Sequence, residues 1–220
     1  AACTERTGLV YVCNPNNPTG TIVDGSAFES FIRQVPTGAT VLVDEAYHHF
    51  VDDSRYRSAV DLVKQFPNLM VARTFSKIYG MAGMRLGYAV AQPPLVARLA
   101  PHAVASNGNA AVLEAAMASL ADPAHVTHQR ALFLDTRRAL YAELDRDGRR
   151  YIPSEANFVM IHIGADVGPL VRRFRDRRIW VGRRFAAMPE WLRVSLGTPG
   201  EMRLFMAALR ELAPVAAAAA

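Results

Sequence analysis

Short polar segments contain the residues of this sequence whose types and spacing could do chemistry. Each segment comes just after, or just before, a run of apolar residues that is typical of a strand. The segments are NPNNPTG with Asn17, DEAY with Asp44 and Tyr47, TFSK with Thr74, Ser76 and Lys77, and GMRLGY with Arg85. Turn formation accounts for the prolines and glycines. It does not account for an acid, a phenol and an amine that follow successive apolar runs.

The side chains in these segments match the chemical groups of one cofactor. A lysine amine beside an arginine loses its proton more easily and can form a Schiff base with an aldehyde. A carboxylate that pairs with a pyridinium nitrogen keeps the ring protonated, so the ring can accept electrons from a carbanion. Tyr and Asn can hydrogen-bond a phenolate oxygen, and an Arg with neighbouring hydroxyls can hold a phosphate. Together these groups predict a site for pyridoxal phosphate.

The first hundred residues predict the elements that position these segments. We expect strands at 8–13, 40–43, 69–74 and 85–91, with helices at 26–35 and 58–66, the first of them opened by a capping box of Ser26 and Glu29. Strands that alternate with helices favour an α/β fold whose sheet is mainly parallel. Ligands of such sheets bind beyond the carboxyl ends of the strands, which is where the polar segments lie.

The second half of the chain has a different pattern, which predicts a smaller α+β domain. We expect helices at 109–120 and 124–144. They are followed by a strand at 157–163, a helix at 167–175, strands at 179–181 and 191–196, and a final helix at 199–212. The predicted division is a large cofactor-binding domain at 1–105, connecting helices at 106–146, a small domain at 147–215 and a tail at 216–220.

Composition excludes several classes of function. Half of the 220 residues are apolar and one fifth are charged, as in ordinary globular proteins. No apolar run is long enough to span a bilayer. The arginines between 172 and 184 could line a nucleic-acid groove or the solvated face of an amphipathic helix. We favour the helix, because aromatic residues do not alternate with these arginines as nucleic-acid binding would require. Cys3 and Cys13 lack the spacing of metal ligands, so we expect reduced thiols in a cytoplasmic protein and no metal site.

NPNNPTG, VDEAY, TFSKIYGMAGMRLGY and WLRVSLGT together resemble the fold-type I, class I/II aminotransferases. The similarity is greatest to the histidinol-phosphate aminotransferase-like branch. It covers essentially the whole chain, and it implies a large pyridoxal-phosphate domain followed by a small domain, and a homodimer. The implied reaction moves an amino group between an amino acid, or a histidinol-phosphate-like amine, and a 2-oxo acid.

The resemblance also implies roles for single residues. Lys77 carries the cofactor and moves a proton, Asp44 contacts the ring nitrogen, and Tyr47 contacts the phenolic oxygen. Asn17 also contacts the phenolic oxygen and contributes to substrate binding. Ser76 and Arg85 correspond to the family's phosphate ligands, and the chemistry of the residues themselves adds the neighbouring hydroxyl of Thr74. The Arg193 guanidinium binds the substrate carboxylate, and Arg183 is assigned to a second substrate contact, with Arg184 left open as the alternative.

The sequence departs from the family pattern in ways that leave alternatives open. The family's first portion is not recognisable, and Ala1 is followed almost at once by a strand. We therefore expect that this chain alone binds the cofactor poorly and is inactive, and a removed leader is left open. His48 and His49 either contact the substrate or pack at the surface or around the site, and we favour packing. A decarboxylase of the threonine-phosphate type and a non-catalytic homologue stay open as alternative functions.

Overall fold

The computed structural model describes residues 3–103 and 108–215, and the chain divides into two compact units. One unit comprises Ala1–Asn16 and Ile22–Arg130, and the other comprises Asn17–Thr21 and Ala131–Ala220. The predicted tail at 216–220 and the predicted boundary at residue 105 lie outside the described residues. The domain boundaries stay predictions.

The first unit contains a four-stranded sheet in the order β1-β2-β3-β4. Its strands are β1 (Leu9–Cys13), β2 (Thr40–Asp44), β3 (Leu69–Thr74) and β4 (Gly87–Ala91). β1, β2 and β3 are parallel, whereas β4 pairs with β3 in the antiparallel direction. This mixed but mainly parallel sheet confirms the predicted α/β class.

The first unit contains short helices and the start of a longer one. They are α1 (Gly25–Ile32), α2 (Pro93–Leu99), α3 (Ala110–Leu120) and the start of α4 (Pro123–Arg146). Phe28 and Ile32 of α1 pack on one face of the sheet, where Val41, Val43 and Val71 are buried. β2 is buried at alternate positions, which is the period-2 pattern of a strand covered on one face.

The second unit contains an antiparallel sheet in the order β5-β6-β7, formed by β5 (Tyr151–Ile152), β6 (Phe158–His162) and β7 (Trp191–Ser195). The helices α5 (Val167–Asp176) and α6 (Pro199–Leu212) pack on it. The core includes Phe174 and Phe205, whose rings stack at 5.6 Å. Thr198 and Glu201 form a capping box at the start of α6.

Several predicted elements differ from the observed ones. Asp24, rather than Ser26, caps α1, because its carboxylate accepts hydrogen bonds from the amides of Ser26 and Ala27. The predicted helix at 58–66 is a short 3-10 turn, Ala59–Leu62. Residues 179–181 form no strand, because the Ile179 amide bonds back to Phe174 at the end of α5. β5 was not predicted, since two residues carry too little periodicity.

Candidate functional site

The predicted site residues of the first unit gather at one edge of its sheet. Asp44 ends β2 and Thr74 ends β3, and these parallel strands pair with Asp44 opposite Ala72. β4 runs in the opposite direction, so its first residue, Gly87, pairs with Thr74. Arg85 precedes β4 by two residues and therefore lies at the same edge. The topology thus brings together segments that are spread over residues 44–85 of the sequence.

Asp44 and Glu45 are neighbours in sequence with opposite surroundings. Because side chains alternate along a strand, Glu45 points to the covered face and is 1% exposed. Its carboxylate accepts hydrogen bonds from Ser58, from the amide of Ala59 and from Arg73. Asp44 lies on the other face and is partly exposed. Of the two carboxylates, only Asp44 is therefore placed to meet a ligand.

The Asp44 carboxylate is held by two donors of the same unit. The amide of Ala46 donates to Oδ1 at 3.0 Å, and the Tyr11 hydroxyl donates to Oδ2 at 2.7 Å. Partial burial of its hydroxyl, the hydrogen bond to Asp44 and the charge of Asp44 raise the pKa of Tyr11 above its ordinary value. Sequence reasoning missed Tyr11. Cys13 is the register partner of Asp44, and Tyr11 lies two residues before Cys13. The side chains of Tyr11 and Asp44 are therefore on the same face of the sheet.

Lys77 lies in the connection between β3 and β4, beside Tyr47. The Lys77 Nζ is 5.2 Å from the centroid of the Tyr47 ring, and Tyr47 is 6% exposed. The Thr74 hydroxyl accepts a hydrogen bond from the Ser76 amide at 3.0 Å. The amide of Gly80 bonds to the carbonyl of Lys77 at 2.9 Å. Bonds on both sides of Lys77 therefore fix the backbone that carries its amine.

Arg85 has an unusual backbone conformation for its residue type. Its φ of 56° and ψ of 50° lie in the left-handed region, which few residues other than glycine adopt. Its guanidinium donates to the carbonyl of Ala82 at 2.6 Å, and the side chain is exposed. Strained backbone of this kind is concentrated at functional sites.

His48 and His49 lie directly after Tyr47 and pack against each other. Their ring centroids are 3.7 Å apart, and His49 meets the Tyr79 ring edge-on at 5.4 Å. Burial, followed by the charges of His49 and Arg73, lowers the pKa of His48 to about 2, and burial with the charge of Arg73 lowers the pKa of His49 to about 4. Both rings are therefore neutral at neutral pH. This geometry favours packing over substrate contact.

In the second unit, Asn17 and Arg193 are joined by a hydrogen bond. Arg193 Nη1 donates to Asn17 Oδ1 at 2.8 Å, across 176 positions of sequence. The Arg193 guanidinium also lies 4.9 Å from the centroid of the Phe158 ring and 5.4 Å from that of Phe185. Aromatic contacts of this kind fix the plane of the guanidinium.

The neighbouring arginines Arg183 and Arg184 have different surroundings. Arg184 Nε donates to both carboxylate oxygens of Asp166, at 2.9 and 2.8 Å, and Arg184 Nη2 lies 2.6 Å from Oδ2. The hydrogen bonds from Arg184 and from the amide of Gly168 hold the pKa of Asp166 below its ordinary value. Arg183 lies 5.1 Å from the centroid of the Phe185 ring, which Arg193 also contacts. The two candidates are thus distinguished by the partner that each contacts.

Neither a cluster of metal-ligating side chains nor a membrane-spanning helix occurs in the described part of the chain. Across residues 3–103 and 108–215, no group of three or more His, Cys, Asp and Glu side chains could hold a metal ion. In the same part of the chain, none of the helices has the length and apolar character needed to cross a bilayer.

Comparison with known proteins connects these features to a family. Residues 1–209 match the family model described as "Aminotransferase class I and II". A relative from Cupriavidus pinatubonensis named "Histidinol-phosphate aminotransferase 1" is 41% identical over 213 residues, which are 95% of this chain and 57% of that protein. The chain therefore spans little more than half the length of this relative.

Solved structures give the same picture of the fold. The histidinol-phosphate aminotransferase of Sinorhizobium meliloti, solved in complex with pyridoxal-5'-phosphate, matches with a TM-score of 0.85 and 28% identity. The match covers 93% of this chain and 56% of that one. The L-threonine-O-3-phosphate decarboxylase of Porphyromonas gingivalis matches with a TM-score of 0.79 at 24% identity, over 93% of this chain and 64% of that one. At that identity the similarity concerns the fold alone.

Proposed function

Because the chain belongs to the aminotransferase class I and II family, we propose that it is part of a pyridoxal-phosphate-dependent aminotransferase. The observation that carries the proposal is the gathering of Asp44, Lys77 and Arg85 at one edge of the first sheet, on three different segments. A structural role alone does not require an acid, an amine and a guanidinium at the same edge.

The side chains at this edge fit the chemical groups of pyridoxal phosphate. Asp44 keeps acceptor capacity for the pyridine nitrogen, because Tyr11 and Ala46 each donate one hydrogen bond to a different carboxylate oxygen. Tyr47 supplies a phenol for the phenolic oxygen, and Lys77 supplies an amine for the aldehyde. Thr74, Ser76 and Arg85 supply the hydroxyls and the charge that a phosphate requires.

The arginines of the second unit are suited to binding a substrate carboxylate. The fork of Arg193 can bind the two oxygens of an α-carboxylate together, and the bond to Asn17 fixes the orientation of that fork. We also propose that Arg183 provides a second substrate contact, because it shares the Phe185 ring with Arg193, whereas Arg184 is committed to Asp166. The substrates are accordingly an amino acid, or a histidinol-phosphate-like amine, and a 2-oxo acid.

Each residue contributes a distinct step to amino-group transfer. When bound, pyridoxal phosphate supplies an electron sink that stabilises negative charge at the substrate Cα. The Asp44 carboxylate keeps a proton on the ring nitrogen, and Arg193 orients the Cα–H bond. As a free amine, the Lys77 Nζ can take the proton from the substrate Cα and return it at another carbon. We also propose that the enzyme is a homodimer and that it is cytoplasmic.

The experiment that tests this proposal uses the protein that carries this chain. The chain contains two lysines, Lys64 and Lys77, to which the cofactor could attach. The protein is incubated with pyridoxal phosphate, reduced with borohydride, digested and analysed by mass spectrometry. We expect a pyridoxyl group on Lys77 and none on the exposed Lys64.

Matched variants complete the test. Lys77→Ala should abolish both the adduct and the conversion of amino acid to 2-oxo acid, whereas Lys64→Ala should retain both. An unmodified Lys77 in the folded protein would contradict the proposal and favour the non-catalytic homologue. Release of carbon dioxide in place of a 2-oxo acid would instead identify a decarboxylase.

A further inference from the structure

Tyr11 is an exposed residue whose hydroxyl is engaged in a hydrogen bond. Its side chain is 57% exposed, yet its hydroxyl donates to Asp44 Oδ2 at 2.7 Å. We propose that Tyr11 is a positioning residue that holds the Asp44 carboxylate in place for the pyridine nitrogen of the cofactor. The inference rests on the proposed function, and it adds to the site a residue on β1, the strand next to the one that carries Asp44.

The sheet register explains why a tyrosine can reach Asp44 from this position. Tyr11 pairs with Leu42, and Asp44 lies two residues further along the same face of β2. That diagonal separation is about 8 Å between Cα atoms, by the spacing of strands and residues in a sheet. A serine or threonine hydroxyl would be too short to cross it, and a phenylalanine would have no donor.

The two hydrogen-bond donors that contact Asp44 hold different oxygens of its carboxylate. The Ala46 amide contacts Oδ1 and follows from the local turn, whereas Tyr11 contacts Oδ2 from another strand. A carboxylate held at both oxygens cannot rotate about its Cβ–Cγ bond without losing a hydrogen bond to a charged group. Because the pKa of Tyr11 is raised, its hydroxyl keeps its proton and stays a donor throughout the neutral and mildly alkaline range.

The variant Tyr11→Phe removes the donor and keeps the ring. In the protein that carries this chain, we expect the dissociation constant of pyridoxal phosphate to rise about tenfold, which is the low end for a lost hydrogen bond to a charged group. It is measured by titrating the cofactor-free protein. The matched control is Leu9→Ala, because Leu9 lies on the same face of β1 and is 59% exposed. The control should leave the dissociation constant within twofold.

Two further measurements separate positioning from a general structural effect. With the protein saturated with cofactor, Tyr11→Phe should lower kcat about tenfold and leave KM for the amino donor within twofold, because Arg193 is untouched. A cofactor-free measurement tests the contact itself: the ring carbon that bears the hydroxyl is labelled with ¹³C, and its NMR shift is followed with pH. Asp44→Asn should lower the titration midpoint of Tyr11, because the charge that opposes its ionisation is removed.

The outcomes distinguish this inference from the function on which it rests. If Lys77 of the unaltered protein takes up no cofactor, the proposed function and this inference are both overturned. If the adduct forms and Tyr11→Phe matches Leu9→Ala in cofactor affinity and kcat, the inference alone is overturned. A Tyr11 titration that is unaffected by Asp44→Asn overturns it as well. A selective loss in Tyr11→Phe, together with a shifted titration in Asp44→Asn, supports it.

Discussion

The Glu45 carboxylate lies 2.8 Å from Arg73 Nη2, on the covered face of the sheet directly behind the Asp44 position. Glu45 has no exposed side-chain surface, and Arg73 has 19%. The bonds to Ser58 and to the amide of Ala59 complete the acceptor capacity of the carboxylate. The ends of β2 and β3, from which Asp44 and Lys77 extend, are therefore joined by a buried ion pair.

Replacing Glu45 with Gln should destabilise the first unit by about 3 kcal/mol, because the charge of Arg73 is left largely buried without its partner. The free energy of unfolding is measured by urea denaturation. The control is Glu29→Gln, which removes the exposed ion pair between Glu29 and Arg33 and should cost at most about 0.5 kcal/mol. Equal losses in the two variants would contradict the structural role of the buried pair.

The histidine pair predicts how stability depends on pH. In the folded protein the pKa of His48 is about 2 and that of His49 is about 4, whereas unfolded histidines titrate near their ordinary value of 6.5. As the pH falls below about 6.5, the unfolded state binds protons that the folded state does not. Stability is therefore fully present above that pH and is lost below it, by about 1 kcal/mol per pH unit for each histidine.

The variant His49→Asn tests this relation. Between pH 6.5 and 5, the loss of unfolding free energy with falling pH should be roughly half that of the unaltered protein, because one of the two titrating rings is gone. The variant His125→Asn, at an exposed position of α4, should keep the full pH dependence. The expectation fails if the curves of all three proteins have the same slope in this range.

The sheet edge could be predicted from sequence because its signals are local. Runs of apolar residues predicted the strands to within one or two positions, and the polar residues beside them predicted where a ligand would bind. The parallel order then followed from the alternation of strands and helices. None of these steps required knowledge of which residues meet across the chain.

The contacts that were missed depend on long-range pairing. The hydrogen bond from Tyr11 to Asp44 joins residues 33 positions apart, and its existence depends on the register of two strands. Alternation predicts that Asp44 and Glu45 face opposite ways, but not which face is covered by α1. Residues 179–181 have the composition of a strand, yet the Ile179 amide bonds to the carbonyl of Phe174 at the end of α5.

The two arginines of the segment VGRRF predict a difference in substrate binding. Arg183→Gln should raise KM about tenfold for amino donors that carry a second anionic group, through the loss of a charge-assisted hydrogen bond. Donors without that group should be unaffected. Arg184→Gln is the matched variant, and it should leave KM within twofold, because Arg184 pairs with Asp166. Steady-state kinetics with both kinds of donor make the comparison, and the reverse pattern would assign the contact to Arg184.

The last prediction concerns the space beside Arg193. The Gly182 amide donates to the carbonyl of Arg193 at 2.8 Å. A Cβ at Gly182 would lie 2.6 Å from that carbonyl oxygen and 3.0 Å from the Cβ of Arg193. Because the first of these atoms belongs to the backbone of β7, it cannot move away without shifting the strand. The close approach therefore requires glycine.

Gly182→Ala should lower the unfolding free energy of the second unit by about 1–3 kcal/mol, the usual cost of overpacking. It should also raise KM for the amino acid, because the fork of Arg193 moves with its strand. The control is Gly38→Ala, where no atom lies within 4 Å of the added methyl group, and neither quantity should worsen there. If Gly182→Ala behaves like this control, the position of Arg193 does not depend on the contact with Gly182.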